Sequence, residues 1–143
     1  MEAKMLAPAA ALVLWSLIML SWTAITRLGG MKKLGTDLKT APPGGRGVNL
    51  EGVLPDPVQW KSHNYAHLME QPTIFYPTVV ILAMMGPTPG TIAIAWAYVA
   101  LRIIHSLWQA TVNTIPIRFT LFLLSTLCLL LLAIHAFKLT VLA

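Results

Sequence analysis

Ala97-Tyr-Val-Ala-Leu-Arg102-Ile-Ile-His105-Ser-Leu-Trp-Gln109-Ala-Thr-Val-Asn113 is an apolar stretch that carries four strongly polar side chains, Arg102, His105, Gln109 and Asn113. They follow one another by three, four and four residues, which puts all four on one face of a helix. The stretch is too apolar for a water-facing helix, and its polar face cannot look at lipid. It reads as a transmembrane helix whose polar face is turned to other helices. Arg102 lies ten residues before Val112, about 15 Å along a helix and close to the bilayer midplane.

The rest of the chain fits that setting. Of 143 residues, 57% are hydrophobic and 10% charged, and the mean hydropathy of +0.72 is that of a membrane protein. Residues 7–25 contain no charge and are long enough to cross about 30 Å of hydrocarbon. A cleaved signal peptide competes for this run, since Lys4 precedes it, but the run is long for one and no small-x-small cleavage site follows. Further spans are expected at 68–85, 91–112 and 117–137. Gly86-Pro-Thr-Pro-Gly90 separates the second from the third, because its prolines and glycines continue neither helix. Thr114 to Pro116 separates the third from the fourth. The expected fold is an all-α membrane protein, one four-helix bundle domain over residues 1–143.

Residues 27–61 form a polar loop broken by Ala41-Pro-Pro-Gly-Gly-Arg-Gly47 and Leu54-Pro-Asp-Pro57. Six of the ten Lys and Arg fall in it: Arg27, Lys32, Lys33, Lys39, Arg46 and Lys61. The formal charge of +5 is therefore a topology signal and not a nucleic-acid footprint. It predicts a cytoplasmic loop with both termini outside, and Trp22, Trp60 and Trp108 at the cytoplasmic interface.

The second expected span opens with a polar stripe of its own, His63, His67 and Glu70. With Arg118 at the start of the fourth span, both stripes converge on the loop side of the bundle. Glu70 is the only acidic residue in a span, so Arg102 is expected to pair with it. The plainer reading of that pair is that it fixes helix register; the other is that it belongs to a functional pocket. His63, His67 and Glu70 also offer two imidazoles and a carboxylate on one face, but Asn64 follows His63, so the zincin glutamate is missing. For haem, His105 and His135 lie towards opposite faces of the bilayer. No metal site is expected. The methionines, the Leu127 to Leu132 run and Cys128 read as packing or lipid-facing surface, and a lone cysteine excludes an intrachain disulfide. Ser106 and Thr111 are expected to bond their own helix backbone.

Four spans, a long basic first loop, a polar motif opening the second span, and Arg102-Ile-Ile-His105 with Arg118 thirteen residues after the histidine together resemble a divergent member of the MAPEG family, the membrane-associated proteins in eicosanoid and glutathione metabolism. The resemblance implies a homotrimer with sites between subunits, glutathione as cosubstrate, and a hydrophobic small molecule arriving from the lipid bilayer. It places Arg118 at the arginine held to stabilise the glutathione thiolate, and Arg27 at a ligand arginine ending the first span. His63, His67 and Glu70 occupy the family's arginine, asparagine and glutamate positions, of which only the glutamate is retained. Arg102, His105 and Gln109 join the implied cofactor-binding set, while Gln109 and Phe122 stand where aromatic hydroxyls recur. The implied activity is that of a glutathione-dependent transferase or peroxidase acting on hydrophobic electrophiles or lipid peroxides. The alternative is a non-catalytic membrane subunit or small-molecule binding protein that keeps the fold, with His63 and His67 as the reason glutathione was lost.

Overall fold

The computed structural model describes residues 1–142; Ala143, the last residue of the expected domain, lies outside the described residues. Five helices follow one another: α1 (Glu2–Lys33), α2 (Asp56–Leu68), α3 (Pro72–Met84), α4 (Pro89–Thr111) and α5 (Ile115–Val141), with a short 3-10 turn at Gly47–Leu50. No strand occurs among the described residues.

Three helices, α1, α4 and α5, are long and apolar enough to cross a membrane. They contain the expected spans at 7–25 and 117–137 and all but the last residue of 91–112. The span expected at 68–85 differs, because α2 ends at Leu68 and α3 begins at Pro72. Pro72 has no N–H to give the Leu68 carbonyl, so the ladder breaks there. Shorter bonds bridge the gap, Glu70 N to His67 O (3.2 Å) and Ile74 N to Gln71 O (2.9 Å), and Met69 and Gln71 stay in the right-handed helical region. With 13 residues, α3 spans only about 20 Å, so this crossing needs the polar end of α2. The loop is also shorter than expected, because α1 runs on to Lys33 and α2 starts at Asp56.

Helix α1 buries Met5, Leu12, Ser16, Met19 and Thr23 along one face and exposes Leu14, Leu17, Ile18 and Ile25 on the other. Helix α5 does the same with Ser125, Leu129, Leu132 and Ala136 inside and Leu127, Leu130, Leu131 and Ile134 outside. So much exposed apolar surface suits lipid and would be intolerable in water. Helix α4 contributes the largest share of the interior, with Ala95, Tyr98, Val99, Arg102, Ser106 and Ala110 all buried. Tyr98 stacks on Phe75 of α3 at 4.3 Å between ring centres. Gln71, in the α2–α3 break, donates to Thr126 Oγ1 of α5 (2.9 Å) and accepts from the Tyr98 hydroxyl (3.3 Å). A side chain at the broken turn thereby ties it to both neighbouring helices.

Local chemistry fixes the turns. Thr88 and Thr91 cap α4 reciprocally, Thr91 N to Thr88 Oγ1 at 3.2 Å and Thr88 N to Thr91 Oγ1 at 2.8 Å, with Pro89 in the first turn. Between α4 and α5, Asn113 adopts a left-handed φ of 57° and closes the helix onto the Trp108 carbonyl at 2.8 Å. The indole of Trp108 donates to Thr114 Oγ1 across the same turn (3.0 Å). Trp22 of α1 lies under the Lys61 ammonium of α2 at 5.2 Å.

Candidate functional site

The end of α4, the end of α2 and the start of α5 meet on the loop side. There His67, His105, Gln109, Arg118, Ile115, Phe119 and Phe122 enclose an open pocket of about 280 Å³. Four of the eight residues expected from sequence, His67, His105, Gln109 and Arg118, thus share one cavity. Arg102 lies behind it, fully buried, with its guanidinium carbon 6.0 Å from the centre of the Phe122 ring.

Arg118 sits in the first turn of α5, and its Nη1 donates to Asn113 Oδ1 at 2.6 Å. Asn113 therefore does two things: its backbone terminates α4 and its amide aims the guanidinium. The spacing pattern places Asn113 on the polar face of the helix but gives it no part in the site. An asparagine just past the end of a helix and three residues before a proline is the signal that finds it.

His67 is held from both sides. Nη1 of Arg102 stands 3.4 Å from its Nε2, and Nη2 stands 3.4 Å from its carbonyl oxygen. Its Nδ1 lies 3.0 Å from Oε2 of Glu70. The ring faces His105 at 4.9 Å and Phe122 at 5.5 Å between centres. Gln109 accepts a bond from Asn64 Nδ2 of α2 at 2.9 Å, joining α2 to α4 beneath the pocket. Buried polar atoms without a protein partner gather here: Arg102 Nε, His105 Nδ1, Ser106 Oγ and Asn64 Oδ1.

Several expectations are corrected. Arg102 does not pair with Glu70, whose side chain is 69% exposed and bonded to His67. Three residues on, in the turn that follows α2, Glu70 comes within reach of His67, and only the imidazole continues inward to Arg102. His63 lies away from the pocket and bonds Glu51 of the loop at 2.6 Å, so His63, His67 and Glu70 do not converge. Ser106 makes no backbone bond, whereas Thr111 donates to the Leu107 carbonyl at 2.6 Å as expected. Arg27 lines a different cavity, where its Nη2 donates to Ser62 Oγ (2.6 Å) and to the Gly47 carbonyl (3.4 Å). Gly47 packs against that guanidinium so closely that a Cβ there would push the arginine aside.

Such an arrangement can hold an anion against Arg118, exclude part of its water with Phe119 and Phe122, and offer His105 and Gln109 as polar neighbours. No curated protein and no solved structure gives a significant match to the chain. A family model does: the MAPEG family matches residues 5–138. With nearly its whole length matched and a helical membrane bundle as its fold, the chain belongs to the MAPEG family.

Proposed function

We propose that this protein is a glutathione-dependent transferase or peroxidase, working as a homotrimer in the lipid bilayer on hydrophobic electrophiles or lipid peroxides. Family membership supports the chemistry, and the single observation that carries it to particular residues is Arg118, fixed by Asn113 in the wall of a pocket shared with His67, His105 and Gln109.

The reaction needs the glutathione thiol as thiolate. A guanidinium keeps its charge at every relevant pH, and beside a partly water-excluded sulfur it lowers a thiol pKa from about 8.5. Arg118 is the group that supplies this charge. An electrophile entering sideways from the membrane is attacked by the sulfur, a carbon–sulfur bond forms, and the leaving group departs with its electron pair. With a hydroperoxide the thiolate takes the distal oxygen, the O–O bond breaks, and the alkoxide picks up a proton. A second glutathione then displaces water from the sulfenic acid to give the disulfide. Glutathione reaches the pocket from the loop side, which we place in the cytoplasm on its basic excess.

One observation favours the non-catalytic reading. Glu70 is exposed and bonded to His67 without lining the pocket, and His63 is bonded to Glu51, so no carboxylate is among the residues that line it for the amino group of glutathione. Calorimetric titration of glutathione into detergent-purified protein decides between the two. The transferase reading predicts saturable binding and turnover of a generic electrophile or hydroperoxide. Folded protein with neither would count for the non-catalytic reading, a membrane subunit or small-molecule binding protein that keeps the fold.

A further inference from the structure

A second and larger cavity, about 770 Å³, lies between the last turns of α1 and the loop and shares no lining residue with the pocket beside Arg118. Its walls include Leu28, Met31, Leu50 and Val53, and the only charged residues lining it are Arg27 and Arg46. Arg27 donates one nitrogen to Ser62 and Gly47, while its Nε is buried without a protein partner. Arg46 is exposed at the rim, in the Gly44-Gly45-Arg46-Gly47 run that forms the roof. Lys32 and Lys33, in the last turn of α1, add positive charge nearby.

Two guanidiniums with no carboxylate beside them call for an anion, and the fork suits a phosphate or carboxylate. Apolar walls of this extent call for a hydrocarbon part. A neutral hydrophobe would leave both cations unmatched, and a small hydrophilic anion would leave the walls wet. The cavity also stands at the loop end of α1, a helix long and apolar enough to cross a membrane, and lipid head groups meet their chains near the end of such a helix.

We propose that this cavity binds an anionic amphiphile, its phosphate or carboxylate head on Arg27 and Arg46 and its acyl chain against Leu28, Met31, Leu50 and Val53. None of its lining residues lines the pocket beside Arg118, and the assignment takes Arg27 out of the glutathione-binding set that the family resemblance implies. It gives the basic loop a specific ligand in addition to a general attraction to negative membranes.

The test is native mass spectrometry of the full chain in detergent, titrated with phosphatidylglycerol, phosphatidylcholine of the same acyl chains, oleate and inorganic phosphate. Phosphatidylglycerol or oleate is expected to bind at a discrete stoichiometry, about tenfold more tightly than phosphatidylcholine, the worth of one additional charge-assisted hydrogen bond. Phosphatidylglycerol without oleate assigns a membrane phospholipid; oleate without phosphatidylglycerol assigns a free fatty acid. Arg46→Ala removes an exposed cation, and Met31→Trp fills the cavity from a half-buried position on α1. Each is expected to weaken binding about tenfold, and if one fails to fold the other decides. Equal binding of phosphatidylcholine, equally tight binding of inorganic phosphate alone, or unchanged binding in the folded variants would overturn the proposal.

Discussion

Arg102 meets His67 twice, at 3.4 Å from its Nε2 and at 3.4 Å from its backbone oxygen. Arginine has only donors, so Nε2 is the accepting nitrogen and Nδ1 carries the proton that points at Glu70. The buried guanidinium and the exposed carboxylate thus favour the same ring orientation and tautomer from opposite sides.

Removing the two ends of this chain should therefore cost very different amounts. Glu70→Ala loses an exposed pair three residues apart, about 0.5 kcal/mol or less. Arg102→Ala empties the largest fully buried side chain among the described residues, a loss of about 2–5 kcal/mol. Unfolding in mixed micelles measures both. A larger loss from Glu70→Ala than from Arg102→Ala would restore the direct ion pair expected from sequence.

The Asn64–Gln109 bond of 2.9 Å makes a second energetic prediction. Gln109→Leu strands the buried Asn64 amide and should cost about 1–3 kcal/mol, while Asn64→Leu with Gln109→Leu should cost less than the sum of the two single changes. Additive single and double variants would show that the contact contributes nothing.

Sidedness follows from the basic loop. With Lys39→Cys introduced in a Cys128→Ala background, a membrane-impermeant maleimide should label only from the cytoplasmic side. Lys39 is exposed in the loop, so access does not limit the reaction. Labelling from outside alone would invert the topology.

Assembly can be weighed directly. The pocket beside Arg118 is open, and Ile115 and Phe119 on its rim are 67% and 61% exposed, an apolar edge suited to a neighbouring subunit. Mass measurement in nanodiscs should give three chains per particle. A monodisperse monomer would remove any shared site.

Much of this was legible in the sequence because lipid makes polar residues conspicuous. The three-, four- and four-residue spacing from Arg102 to Asn113 marks an inward face, and His105 and Gln109 do line the pocket with His67 and Arg118. What escaped depends on contacts that no periodicity encodes. Residues 68–85 look like one apolar run, and the break before Pro72 mostly exchanges helical bonds for shorter ones, too small a signal against that background. Glu70 has the right charge for Arg102, but only the fold reveals that His67 stands between them. His63 and Arg27 depend on how the loop folds back, where Glu51, Ser62 and Gly47 become their partners.

The central claim, that Arg118 makes thiolate, is tested most directly by the ultraviolet absorbance of the glutathione thiolate as glutathione is titrated into the protein. Wild type should show bound thiolate at least about one pH unit below the free thiol's pKa of about 8.5. Arg118→Ala should abolish it, and Arg118→Lys should lose most of it, since a lysine cannot hold Asn113 and face the sulfur together. Asn113→Gly keeps the left-handed backbone and removes only the amide, so it should weaken the signal without unfolding the turn. Glutathione that binds yet stays protonated in wild type, or thiolate that persists unchanged in Arg118→Ala, would contradict the account.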